Sequence, residues 1–239
     1  KNFSFFFQSI RNNYDLLTVH EIFQKEDYNL KTLKIWNSIS KYYIKKKKKP
    51  LIIDCGSNIG SSSNYFSRVF PESFIVSIEP EINNFLMIKK NFSLLASNVI
   101  NKAVACDNQN YSLNISADSR GHFINIIHSQ EESIKNNSLL KRDKVETVTI
   151  KDILNNYKND CFPFLIKIDI EGFEKNLFYK NFELINNFLI IIIEIHDWMI
   201  PNKSISSNFI KALNEINKNE QSKRDLIISG ENLISIRRM

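Results

Sequence analysis

Residues 51–60 read "LIIDCGSNIG", and they hold two of only five glycines in a chain of 239 residues. Loops elsewhere in this sequence are built from Asn, Lys and Ser, so a glycine pair four apart answers a local demand. The run "LIID" has the unbroken apolar character of a strand covered on both faces, and Ser61 to Ser63 suit the start of a helix. The segment is therefore a strand, a tight loop and a helix. Gly56 would permit a backbone conformation or a close ligand approach that a Cβ forbids, and Gly60 would let the helix pack near the strand.

The same alternation continues along the chain. "FIVSIE" precedes a helical stretch at 81–95, "VINKAVA" follows, "FLIKIDI" precedes a helical stretch at 172–187, and "FLIIIIEI" comes after it. Unalternated Ile, Leu, Val and Phe between helices predict a parallel sheet with helices on both faces. "RDLIISGENLISIRR" at the end reads as an antiparallel hairpin about a Gly-containing turn. "YSLNIS" and "KVETVTI" alternate like half-exposed strands, and the polar stretch between them reads as an excursion. Residues 8–44 carry helical spacing without glycine or proline. The expected organisation is thus a helical segment and Lys-rich linker at 1–49, then one α/β domain at 50–239.

Composition excludes little. The net charge of +6 has one concentration, Lys45 to Lys49, which reads as a solvated linker because no Arg or interleaved aromatics accompany it. Three widely spaced cysteines form neither a CxxC pair nor a zinc spacing and suit a reducing cytoplasm. The longest apolar run, 188–193, is far short of the about 20 residues that a membrane helix needs. "FSFFFQSI" lacks a small-residue cleavage site, so no signal peptide is expected.

In open α/β sheets ligands sit outside the carboxyl ends of the strands, which puts the 54–60 loop at the binding edge. The loop is not GxGxxG, since Asp54 stands where a first glycine would admit a pyrophosphate. Twenty-five positions on, "SIEP" ends the next strand with Glu79, a carboxylate suited to both hydroxyls of a ribose. An adenosine ligand with a small zwitterionic end and no phosphate is S-adenosylmethionine. "LIKIDIEGFE" sets Asp169 and Glu171 at another strand end, and "IIIIEIHDW" sets Glu194, His196 and Asp197 at the next. Acids and an imidazole converging over one edge are what an active site needs, and this reading is favoured for Asp169 and His196 over the plainer one, in which Glu171 and Glu174 merely complement a helix N-terminus and His196 is a satisfied loop histidine.

"IDCGSNIGSSSNYF", "SIEPEINNF", "NKAVACD", "VTIKDIL", "LIKIDIEGFEKNLF" and "IIIEIH", in this order, resemble the FkbM-type S-adenosylmethionine-dependent methyltransferases. The resemblance covers roughly residues 52–196. It implies a Rossmann-like class I sheet of seven strands and methyl transfer, most often to oxygen, on sugars or secondary metabolites. It also implies that Asp54, Gly56, Asn58 and Gly60 hold the methionine part, Glu79 the ribose, and the region from Ala103 to Asp107 the adenine. Asp169 and Glu171 would lie between cofactor and acceptor, with Glu194, Arg120 and His122 toward the acceptor. His196 is the nominated base, with Asp169 as alternative or orienting partner. Asp169, Glu171, Glu194 and His196 could supply oxygen and nitrogen ligands to Mg²⁺, but their spacing is not a defined metal motif, so the expectation leans against a metal.

The expected acceptor is a sugar hydroxyl in surface-polysaccharide biosynthesis, with a secondary-metabolite hydroxyl next. Nucleic acid is disfavoured by the absence of an "NPPY" or "DPPY" string, and an NAD-dependent reaction by the missing phosphate-loop glycines. A binding module without chemistry would be expected to have lost some of the strand-end acids.

Overall fold

The computed structural model describes residues 10–91, 97–109, 111–114, 123–126, 142–199 and 201–239. The chain begins with α1 (Asn13–His20), a π-helical turn at 21–25, a 3-10 turn at 30–32 and α2 (Trp36–Lys45). Sequence spacing predicts one helical segment here. The chain breaks it at Glu26, whose φ of 59° is left-handed.

Then follow β1 (Lys49–Cys55), α3 (Ser61–Val69), β2 (Phe74–Ile78), α4 (Ile82–Asn91), β3 (Ser97–Ile100) and β4 (Ala103–Val104). Next come β5 (Tyr111–Asn114), β6 (Phe123–Ile126), β7 (Arg142–Val145), β8 (Thr147–Val148) and α5 (Ile150–Tyr157). The last elements are β9 (Cys161–Ile168), α6 (Glu174–Leu177), a 3-10 stretch at 182–187, β10 (Ile190–Glu194), α7 (Ser207–Asn217), β11 (Arg224–Ser229) and β12 (Asn232–Arg237).

Seven strands form the main sheet in the order β11-β12-β10-β9-β1-β2-β3. The pairs from β10 to β3 are parallel, and β12 runs antiparallel to both neighbours. The architecture is the Rossmann-like, mostly parallel seven-stranded sheet with a closing hairpin. From β1 the chain moves outward to β2 and β3, then returns to build β9 and β10 on the other side. That reversal opens a crevice at the carboxyl ends of β1 and β9.

The apolar runs lack alternation because both faces are covered, yet their residues sort by a period of two. Leu51, Ile53, Val76, Ile78, Ile166, Ile168, Ile191 and Ile193 enter one core layer. Ile52, Ile75, Leu165, Ile190 and Ile192 enter the other, where they meet Ile22, Tyr28, Leu30 and Ile39 of the N-terminal segment and Phe66 of α3. The N-terminal segment is thus the cover of one sheet face.

Three local departures from the sequence reading have physical causes. "VINKAVA" is two strands, because the Asn101 side chain donates to the carbonyls of Glu79 and Pro80 and turns the chain, so that β4 pairs with β8 in a separate sheet. The stretch 172–187 holds only the one-turn α6 and a 3-10 run, interrupted by left-handed Asn181. Pro163 lies inside a central strand, where it cannot donate to the ladder. The β1–β9 register shifts at that point, which accommodates it.

Candidate active site

A cleft of about 760 Å³ opens at the carboxyl edge of β1, β2, β9 and β10. One wall comes from the N-terminal segment through Ile22 and Tyr28, and another from the β11–β12 turn through Gly230 and Asn232.

Between β1 and α3 the loop is fastened from inside. Its Gly56 and Ser57 amides donate to the Ile78 carbonyl, and the Asp169 amide donates to the Cys55 carbonyl. Gly56 has φ +77°, and a Cβ there would lie 1.8 Å from the backbone oxygen of Asp169. Glycine is therefore required by the neighbouring strand end, whatever a ligand adds to that demand. Gly60, at φ 87°, turns the chain into α3.

Asp54 is wholly buried and does not line the cleft. Its Oδ2 accepts hydrogen bonds from Ser62 Oγ at 2.6 Å and from Ser63 Oγ. Its Oδ1 lies 3.5 Å from Lys167 Nζ. Lys167, 2 % exposed, also donates to the Gly56 carbonyl at 2.8 Å and pairs with Asp169 Oδ2 at 3.1 Å. Burial alone would push this lysine down, but the charges of Asp169 and Asp54 and the Tyr28 hydroxyl hold it well above its ordinary value. Sequence reasoning passed over Lys167. The signal was a lone cation inside an apolar strand, which demands a buried counter-charge.

Glu79 lines the cleft and is 5 % exposed. Its carboxylate accepts from the Asn58 amide at 2.9 Å and the Glu81 amide at 3.0 Å. Burial raises it to about 7 despite these bonds. Ala103 also lines the cleft, whereas Asp107 does not and instead accepts from Tyr111 Oη at 3.0 Å. Arg120 and His122 lie outside the described residues.

On the opposite side Asp169, Glu171, Glu194 and His196 meet. His196 is 1 % exposed. Its Nε2 lies 3.4 Å from Glu194 Oε1 and 3.6 Å from both Asp169 Oδ1 and Glu171 Oε2. Its Nδ1 is 2.8 Å from Oε1 of Glu174, the same oxygen that receives the amides of Ile170 and Gly172. Glu174, given by the sequence only a helix-end role, is thus the residue that aims the imidazole. Glu171 is held in the left-handed region at φ 55°, a cost of about 1–2 kcal/mol borne where three acids converge.

Electrostatics follow the crowding. Burial and then the Asp169 charge raise Glu171 to about 8, and burial also raises Glu194. For His196 burial acts downward, but the bond to Glu174 and the nearby carboxylates of Glu194 and Asp169 outweigh it and raise the ring to about 11. Without a further cation in the cluster, the ring is an imidazolium at neutral pH.

Residues 54–220 match the methyltransferase FkbM domain. The chain belongs to this family. A methyltransferase from Sordaria araneosa, sdnD, is 24% identical over 174 residues, covering 59% of this chain and 65% of that protein, so the chain matches just under two thirds of its relative's length. Among solved structures, an O-methyltransferase from Bacillus cereus in complex with SAH has a TM-score of 0.44 at 10% identity, covering 96% of this chain and 92% of that one. The plantazolicin methyltransferase BpumL in complex with SAH has a TM-score of 0.42 at 14% identity, covering 95% and 88%.

The cofactor of this FkbM domain is S-adenosylmethionine. The cleft fits it. Ser61 Oγ and Asn58 Oδ1, at the start of α3, are buried polar atoms without a hydrogen-bond partner, and both residues line the cleft. Glu79 Oε2 accepts only the Asn58 amide among the described residues, which leaves it a lone pair for a hydroxyl. Among the described residues no helix is long and apolar enough to cross a membrane.

Proposed function

We propose that this protein is an S-adenosylmethionine-dependent O-methyltransferase acting on a sugar hydroxyl in surface-polysaccharide biosynthesis in the cytoplasm. One observation carries the reading. A single cleft has Glu79 and the α3 N-terminus on one side and the Asp169, Glu171, Glu194 and His196 cluster on the other. When bound, S-adenosylmethionine supplies a methyl group already activated on a sulfonium, so the protein has to bind, orient and deprotonate the acceptor.

Each residue then has a task. Ser61, Asn58 and the free amides of α3 hold the methionine end, and Glu79 holds the ribose. Asp54 acts through Ser62, Ser63 and Lys167 by keeping the loop in place. Glu171 and Glu194 accept hydrogen bonds from acceptor hydroxyls. A protonated His196 cannot take a proton, so the base in this reading is Asp169, the alternative nominee, with the imidazolium 3.6 Å away orienting it. Trp198, 71 % exposed at the cleft mouth, offers a flat surface to a pyranose ring.

A secondary-metabolite hydroxyl is the second reading. The apolar surfaces of Ile22, Tyr28, Trp198 and Met199 favour it, since they would hold a flat acceptor equally well. A panel of nucleotide sugars, glycans and phenolic acceptors, screened by homocysteine release with NMR location of the new methyl group, separates the two. Turnover on phenolic acceptors alone would reject the sugar reading.

A further inference from the structure

We propose that the cleft binds one divalent cation of the Mg²⁺ or Mn²⁺ class, ligated by Asp169 Oδ1, Glu171 Oε2 and His196 Nε2, with Glu194 and Asn232 completing its surroundings. One donor atom from each of the first three residues lies within 4.8 Å of the others. Around such an ion, at ligand distances of about 2.1–2.3 Å, adjacent ligands are about 3.0 Å apart and opposite ones about 4.3–4.6 Å. The distances from Nε2, 3.4 to 3.6 Å, fall in that window. They are too long for charge-assisted hydrogen bonds, which close to about 2.7–2.9 Å. Three carboxylates thus surround one nitrogen without closing on it, the arrangement expected around a shared ion.

Two independent features support the site. His196 Nδ1 is bonded at 2.8 Å to Glu174, itself 1 % exposed. A carboxylate behind the ring leaves Nε2 as the donor and fixes its direction, as it does for metal-binding histidines. The second is Asn232, 5 % exposed, which sits directly across from Glu194 in the β10–β12 ladder and lines the same cleft. Its Oδ1 is buried without a hydrogen-bond partner, a neutral oxygen on a residue that lines the cleft as Glu194 does. Asp169 divides its oxygens accordingly: Oδ2 serves Lys167 and Oδ1 faces the cluster. The donor set of oxygens with one imidazole suits Mg²⁺ or Mn²⁺ better than thiolate-seeking metals.

Given the methyltransferase reading, on which this consequence alone rests, the cation selects acceptors that present two adjacent oxygens. It lowers the pKa of the hydroxyl it holds, so that water can take the proton, and with the ion bound Asp169 and a neutral His196 serve as its ligands in place of the base and imidazolium of the cation-free site.

The test is a titration of the chelator-treated full chain with Mn²⁺, followed by calorimetry and by quenching of Trp198, whose ring lies 6.3 Å from His196. S-adenosylmethionine is titrated in parallel. One Mn²⁺ per chain is expected, with affinity lowered at least tenfold in Glu171→Gln and in His196→Gln, and less in Asn232→Ala. Retained S-adenosylmethionine binding shows that these variants are folded. No saturable Mn²⁺ binding by protein that binds S-adenosylmethionine would overturn the cation site, as would Mn²⁺ binding that both variants leave unchanged. Mn²⁺ binding sensitive to both variants, without any S-adenosylmethionine binding, would support the cation and remove the methyltransferase reading instead.

Discussion

Lys167→Met is the perturbation that bears most directly on how the site is held. The lysine is 2 % exposed and joins three groups: the Gly56 carbonyl at 2.8 Å, Asp169 Oδ2 at 3.1 Å and Asp54 Oδ1 at 3.5 Å. Methionine fills a similar volume, so the loss is electrostatic and not a cavity. It leaves Asp54, with no exposure to water, carrying a charge with no cation beside it. Breaking a buried ion pair from one side costs about 3–5 kcal/mol. For a chain of this size that is a fall in melting temperature of roughly 6–20 °C. The assay is thermal and urea unfolding of Lys167→Met, Asp54→Asn and the double variant. Asparagine still accepts from Ser62 and Ser63 but removes the orphaned charge, so the double variant should regain stability relative to Lys167→Met. Stability of Lys167→Met within about 0.5 kcal/mol of wild type, with no coupling to Asp54→Asn, would refute the reasoning.

Gly56→Ala should destabilise the protein by about 2 kcal/mol or more and weaken S-adenosylmethionine binding, because a left-handed residue gains a Cβ that meets the Asp169 carbonyl; wild-type melting and affinity would contradict this. Glu79 is raised to about 7, and only its carboxylate accepts two hydroxyls, so cofactor affinity should fall as pH drops from 8 to 6 and be flat over that range in Glu79→Gln. In the cofactor-free protein the same raised value has the opposite sign: stability from this group is present below its ordinary value of 4.5 and is lost as pH rises through 7, by on the order of 3 kcal/mol, which unfolding of wild type and Glu79→Gln across that range measures. His196→Ala should keep cofactor affinity and lower turnover by roughly 10²-fold or more, read by calorimetry and homocysteine release; wild-type turnover would remove His196 from the site chemistry.

The strands were legible because burial on both faces leaves a run of Ile, Leu, Val and Phe that little else in a chain produces. The closing hairpin was legible from two such runs about Gly230. Helical boundaries were less so. Residues 172–187 have helical spacing, yet the Glu174 side chain turns back to the Ile170 and Gly172 amides and Asn181 adopts a left-handed conformation, so only one α-turn forms. Similar spacing before residue 45 gave no hint of the break at Glu26.

By itself the sequence determined the kind of sheet, the edge at which a ligand would sit and the acids that end the strands there, since all three follow from local runs and loop residues. Only the tertiary structure decided what those residues face. It turned Asp54 inward to Lys167, made Gly56 a requirement of the Asp169 carbonyl, and brought Glu174 and Asn232 to a histidine and an acid that the sequence could not join to them. The physical reason is that burial of a charge sets its partners by distance through space, and residues 113 apart in the chain, such as Asp54 and Lys167, meet only once the β1–β9 register is formed.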